Sequence, residues 1–128
     1  CFQTLRLWAV SPTPPIHSPG GGDDTKLLVS ATDGTVCLYS VRPDSDDLLC
    51  ERKWLAHSSK YLPATEAWTC TSNAFNGAVV YSGGEDAKWK AWDVRDGCMR
   101  PLWTANAHEQ GVCSMQAHPT IEHILATG

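Results

Sequence analysis

Apolar and polar residues alternate in short runs along this chain, and no stretch holds a helical period of 3.6 for ten residues or more. Segments rich in Val, Leu, Tyr and Trp end in clusters of Gly, Asp, Asn and Pro, as strands end in turns. The pattern predicts an all-β protein. Strands are expected over residues 2–10, 26–31, 35–41 and 49–54, then 67–72, 78–82, 88–94 and 100–104, and last 111–116 and 123–127. The run 12–24, rich in Pro and Gly, is expected to be a surface loop.

Two segments repeat one another: Leu28-Val29-Ser30-Ala31-Thr32-Asp33-Gly34-Thr35 through Tyr39-Ser40-Val41, and Val80-Tyr81-Ser82-Gly83-Gly84-Glu85-Asp86 through Trp92-Asp93-Val94. Each reads as a strand, a tight acidic turn and a second strand closed by an aromatic residue, which is a β-hairpin. Ala56-His57 recurs as Ala107-His108, and Ile124-Leu125-Ala126-Thr127-Gly128 repeats Val79-Val80-Tyr81-Ser82-Gly83. A His before a first strand, Trp-Asp closing a third, and a period of about 40–45 residues make the signature of a WD-repeat propeller blade. Insertions such as 58–65 lengthen the spacing here. The expected architecture is part of one WD-repeat β-propeller, about two and a half four-stranded blades dividing near 1–55, 56–105 and an incomplete 106–128. The chain opens on Cys1 and stops where a strand hands over to a turn, and is read as a piece of something longer.

Composition narrows the partners. A net charge of −4 with no block of like charges gives no electrostatic footprint for a phosphate backbone, so nucleic acid is not expected as a direct partner. No apolar run reaches the roughly 20 residues of a membrane helix. The six cysteines form no C-x-x-C pair and several sit inside apolar alternations, which suits reduced thiols in a cytoplasmic protein.

The candidate chemistry has plainer readings beside it. His57, Ser82, Asp86 and Trp92 occupy the positions of the hydrogen-bonded chain of a WD blade, expected to run from the His through Ser and Asp to the indole N–H, with Asp93 completing the dipeptide. A Ser, a His and an Asp also suggest a hydrolase triad, but buried polar groups must be paired, and a structural chain accounts for them. Cys113, His118 and His123 have no evident fourth ligand and fall on different strands, so no metal is expected. Gly20-Gly21-Gly22 lacks a following Lys-Ser or Lys-Thr, and there is no G-x-S-x-G elbow. Glu66-Ala67-Trp68 and Glu109-Gln110-Gly111-Val112 both precede a first strand and are expected, with Glu85 and Asp86, on one rim around the propeller axis. Carboxylates and an aromatic ring there suit a cationic or imidazole-bearing group; a merely solvated rim is the alternative.

Those same strings, with Trp92-Asp93, Arg95, His108-x-x-Gly111-Val112-Cys113-Ser114-Met115-Gln116, Pro119 and Glu122 to Gly128, resemble the diphthine methyl ester hydrolase family, WD-repeat proteins of diphthamide biosynthesis. The resemblance runs from about Leu27 and is strong from Glu66 onward. Glu85 stands where the family pattern has Asp, the segment before Glu66 is longer, and the N-terminal loop diverges. The resemblance implies a methylesterase acting on translation elongation factor 2, removing the carboxyl methyl ester from its methylated diphthine intermediate, with no cofactor. The residue types on the rim would then make Trp68, Glu85 and Glu109 binding residues, with a water activated by His108 and oriented by Asp86 or Glu66, although His108 equally fits the structural His of its own blade. The contrasting expectation is a non-catalytic propeller scaffold, because fold alone does not assign function.

Overall fold

In a computed structural model, which describes residues 7–13, 25–42, 47–61 and 65–128, each alternating run pairs with the next. The first sheet orders β1 (Leu7–Thr13), β2 (Thr25–Ala31), β3 (Thr35–Val41) and β4 (Leu48–Leu55) side by side, all antiparallel. The second repeats that order with β5 (Ala67–Ser72), β6 (Val79–Gly84), β7 (Trp89–Asp93) and β8 (Trp103–Ala105). A third pair joins β9 (Met115–Ala117) to β10 (Leu125–Thr127).

The sheets meet through their first strands. β1 lies against β5, and β5 lies against β9, so the opening strands stand next to one another. This is the packing of successive propeller blades. Between the first two sheets, Leu28, Val36, Leu38 and Trp54 meet Ala67, Cys70, Val80, Trp92, Val94 and Cys98. The rings of Trp54 and Trp92 stand 5.9 Å apart and tilted. Full burial of a side chain such as Leu28 contributes about 1.5–3 kcal/mol. In β4, the outer strand, Trp54 is buried while its neighbours are exposed, as expected of an edge with one apolar anchor.

Turn chemistry fixes the hairpins. Gly34 adopts φ +78°, and a Cβ there would collide with the carbonyl oxygens of His57 and Thr65. Its own carbonyl accepts from the N–H groups of Ala56 and His57 at 2.9 and 3.0 Å, tying the first sheet's turn to the lead-in of the second. Between β5 and β6, Asn73 Oδ1 accepts from the N–H groups of Phe75 and Asn76.

The expected strands recur with shifted ends. Residues 35–41 and 67–72 are strands as read, but the expected loop 12–24 starts late, because Pro12 and Thr13 still pair with Leu27 and Lys26. β1 is an edge of its sheet, where a residue lacking an N–H is tolerated. The third strand of the second sheet stops at Asp93 instead of Val94. There a 3-10 turn, Val94–Asp96, is capped by Asp93 Oδ1 accepting from Arg95 N at 2.9 Å, and closed by Gly97 at φ 73°. Residues 1–6 of the expected first strand lie outside the described residues.

Candidate functional site

Three segments converge on one rim: the lead-in to β5, the turn between β6 and β7, and the lead-in to β9. Backbone bonds join them. Glu85 N donates to Glu66 O at 3.0 Å, and Val112 N donates to Gly84 O at 2.9 Å. Val112 is fully buried and rests against the bare backbone of Gly83.

Side chains then gather on that frame. Trp68 Nε1 donates to Glu66 Oε2 at 2.9 Å, and Glu66 N donates to Glu85 Oε2 at 3.3 Å. The six-membered ring of Trp68 lies on Gly111, so closely that a Cβ on Gly111 would penetrate it. The result is an indole held at its N–H by one carboxylate and backed by a glycine, with a second carboxylate alongside. Glu85 and Glu109 are exposed, while Glu66 and Trp68 are half-buried. Such an arrangement offers negative charge and an aromatic surface, the chemistry that binds cations.

Beneath the rim, the four-membered chain expected of the blade is present in a different order. His57 sits at its centre: Nδ1 meets Asp86 Oδ1 at 2.9 Å and Nε2 meets Ser82 Oγ at 2.9 Å. Trp92 Nε1 donates to the same Ser82 Oγ at 2.9 Å. The sequence reading placed the His at the end of the chain; instead its two ring nitrogens bridge Asp and Ser, the arrangement that satisfies both. His57 and Ser82 are fully buried, and Asp86 Oδ1 also accepts from Lys88 N at 3.2 Å, shaping the turn. Burial pushes the Asp86 carboxyl up, but the hydrogen bond and charge of His57, with Lys90 and the Lys88 N–H, outweigh it and leave it below its ordinary value. Lys90 is held below the usual lysine range by burial, which the charge of Asp86 opposes. Its Nζ donates to Ala56 O at 2.6 Å and stands 5.8 Å from the centre of the Trp92 ring.

His108 occupies the equivalent place in the third sheet. Its Nε2 meets Thr127 Oγ1 at 2.8 Å, the counterpart of His57 with Ser82. The structure thus brings Glu66, Trp68 and Glu85 together with Gly111, whereas Asp86 and His108 are each bonded within their own sheets. His118 accepts from the N–H groups of Thr120 and Ile121 through Nδ1, which forms the β9–β10 turn. Asp93, besides capping the 3-10 turn, pairs with Arg95 at 2.7 Å.

The roles of three residues escaped the sequence reading. Gly84 seats His57, since a Cβ on it would stand 2.7 Å from the imidazole Nδ1 and from Glu66 O. Gly111 backs Trp68, and Lys90 clamps Ala56. The adjacent Gly83-Gly84 at the end of a strand is a signal of close backbone approach; nothing local marks Lys90.

Comparison with known proteins places this geometry. No protein-family model matches the chain. It is 36% identical over 128 residues, its whole length, to a Homo sapiens diphthine methyltransferase, covering 26% of that protein. It is 37% identical over 103 residues to the Mus musculus diphthine methyltransferase, with 80% of this chain and 20% of that one covered. A Dictyostelium discoideum diphthine methyltransferase homolog shares 34% over 113 residues, 80% of this chain and 29% of its own. The chain therefore spans between a fifth and a third of the length of these relatives. Among solved structures, a chain from the crystal structure of a mitotic checkpoint complex superimposes with a TM-score of 0.71 at 22% identity, covering 96% of this chain and 32% of that one. That match shows the fold, a WD-type β-propeller of which this chain forms consecutive blades.

Proposed function

From a chain related to part of the diphthine methyltransferases, we propose a protein that acts in diphthamide biosynthesis by removing a carboxyl methyl ester from the methylated diphthine intermediate on translation elongation factor 2. The observation that carries this reading is the Glu66–Trp68–Glu85 cluster seated on Gly111. It is built from the same strings, Glu66-Ala67-Trp68 and Gly111-Val112, in which the family resemblance is strongest. Trp68 and Glu85 take the trimethylammonium of the substrate, the ring by its face and the carboxylate by its charge. Glu66 fixes the indole through Oε2, and its other oxygen accepts a proton from the attacking water. Water adds to the ester carbon, the methoxy group leaves as methanol, and a free carboxylate remains. In this reading Asp86 and His108 hold the blades beneath the rim, Glu109 extends its negative charge, and the reaction takes place in the cytoplasm without a cofactor.

A second reading, a non-catalytic docking scaffold, is favoured by the bonds that tie His57, Asp86 and His108 into their sheets. One assay separates the two. Full-length protein is incubated with elongation factor 2 carrying the methyl-esterified intermediate, and loss of the methyl group is followed by mass spectrometry. Loss above the protein-free control is expected, and the double change Glu66→Ala with Trp68→Ala is expected to lower the rate by about 100-fold. A folded wild-type protein that leaves the ester intact moves the assignment to the scaffold; unchanged hydrolysis by the double variant removes the cluster from the mechanism.

A further inference from the structure

Trp68 belongs to β5, but the seat of its ring belongs to the third sheet. A Cβ built on Gly111 would stand 2.8 and 2.9 Å from Cη2 and Cε3 of the indole and closer still to Cζ3, so this position admits no side chain while the ring stays where it is. Gly111 is itself anchored through its neighbour. Val112 is fully buried, donates from its N to Gly84 O at 2.9 Å, and packs on Gly83, where a Cβ would meet Val112 Cγ1 at 2.7 Å. Contacts packed this closely transmit a shift of one partner to the other.

The other end of the indole is fixed within the second sheet, where Nε1 donates to Glu66 Oε2 at 2.9 Å. The ring is therefore held by its own sheet at the N–H and by the next sheet at the six-membered ring. Trp68 is only half-buried, so part of its surface stays open. An indole placed in this way, with carboxylates beside it, attracts a cation, and how well it does so depends on where the ring sits.

We propose that Gly111 is a positioning residue of the candidate site, and that a quaternary ammonium bound on Trp68 is coupled through this contact to the docking of the third sheet on the second. The inference rests on the function proposed above, which puts the trimethylammonium of the substrate on this ring. The subsite is complete only with Gly111 in place. Movement of the third sheet away from the second takes the seat from the indole, and a bound cation, by holding the indole, opposes that movement. The coupling is reciprocal: what the docked junction adds to the affinity for the cation, the cation adds to the stability of the junction.

The test titrates full-length protein with tetramethylammonium chloride by calorimetry, against a sodium chloride control of equal ionic strength. Four proteins are compared: wild type, Gly111→Ala, Trp68→Phe and the double variant. The wild type is expected to bind, Gly111→Ala to bind about tenfold or more weakly, and the double variant to bind no more weakly than Trp68→Phe, whose shorter side chain withdraws the atoms that the new methyl would displace. Hydrogen exchange at the Val112 amide gives a readout that a purely structural role for Gly111 would not move. At a tetramethylammonium concentration about nine times its Kd, exchange in the wild type is expected to slow about tenfold. At equal saturation of Gly111→Ala it is expected not to slow.

A wild type that binds no tetramethylammonium overturns the proposal, as do equal binding by Gly111→Ala, losses that add in the double variant, and exchange at Val112 that ignores the cation. If Gly111→Ala does not fold, the wild-type exchange and the comparison of Trp68→Phe with the double variant still decide. Methyl ester loss from elongation factor 2 is followed with the same wild-type preparation. Cation-dependent protection without ester loss removes the esterase reading and leaves the coupling, whereas ester loss without protection does the reverse.

Discussion

The first two sheets have the same strand order and the same acidic turn, yet they solve the problem of a polar residue at the end of the second strand differently. In the second sheet Ser82 accepts from Trp92, meets His57, and through it reaches Asp86. In the first sheet the aromatic position is Tyr39, Asp33 Oδ1 accepts from Thr35 N and hydroxyl, and the buried Ser30 hydroxyl has, among the described residues, no hydrogen-bond partner beyond the neighbouring Cys70 thiol. The first sheet is held by apolar burial of Leu28, Val36 and Leu38, whereas the second depends on a polar chain in which His57, Ser82 and Trp92 are all bonded and Asp86 is bonded through Oδ1. A buried polar network stabilises when every member is paired and destabilises when one is missing. The sheet that carries the candidate site is therefore the one whose integrity hangs on a few residues.

The largest expected break in that contrast is His57→Ala. It leaves the Asp86 carboxylate, the Ser82 hydroxyl and the Trp92 N–H without their shared partner, in a site with no water access at the imidazole. A loss of about 3–5 kcal/mol is expected, read as a fall in the denaturant midpoint of the full-length protein. A loss below 1 kcal/mol would show that the chain is ornamental. Next comes Gly84→Ala, whose Cβ would stand 2.7 Å from the imidazole and from Glu66 O, both in the second sheet's lead-in. Overpacking of this kind costs about 1–3 kcal/mol, and it displaces Glu66, so the indole fluorescence of Trp68 is expected to shift as well. Gly84→Ala with unaltered stability and fluorescence would mean that His57 relaxes without effect.

Acid separates the sheets more gently. The folded Asp86 carboxyl lies below its ordinary value of 3.8, so its stabilisation is fully present above that pH and is lost as the pH falls through the folded value. Hydrogen exchange in β6 and β7 is expected to accelerate below about pH 4 ahead of exchange in β2 and β3. Asp33 in the first sheet is also lowered, its own burial being outweighed by the Thr35 bonds and Lys53, but it anchors a turn alone and not a chain through the sheet. Simultaneous exchange in both sheets would contradict the comparison.

Much of this was legible in the sequence. Alternating runs gave the strands of both sheets because each strand pairs with its neighbour in the chain, and the period of the repeat put Glu66, Trp68 and Glu85 near one another, whereas Asp86, read onto the same rim, is bonded to His57 beneath it. The rest was hidden because it is non-local. Asp33 and Asp86 sit in turns that look alike, yet a histidine far along the chain meets one of them and none meets the other. Gly111 is distant from Trp68 in sequence, and nothing around it announces an indole. His108 is readable both as a base and as the structural His of its blade, and its bond to Thr127, the position that the repeat aligns with Ser82, gives it the structural place. A repeat thus reports what each residue is for structurally more faithfully than a local motif does.

The smallest expected effect is the sharpest check on that last point, because it asks whether equivalent positions in a repeat are energetically equivalent. Ser30 and Ser82 align, and both are fully buried. Burial pushes the Cys70 thiol beside Ser30 up to about 12, so it stays protonated and is at best a weak partner for the hydroxyl. Ser30→Ala removes a buried hydroxyl that gains little from the fold, and a change within about 0.5 kcal/mol of zero, or a slight gain, is expected. Ser82→Ala strips partners from both His57 and Trp92, and a loss of about 1–3 kcal/mol is expected. Denaturation of the two variants side by side measures the difference. Equal losses would mean that the first sheet contains a polar network of its own, and that the apolar and polar blades differ less than their hydrogen bonds indicate.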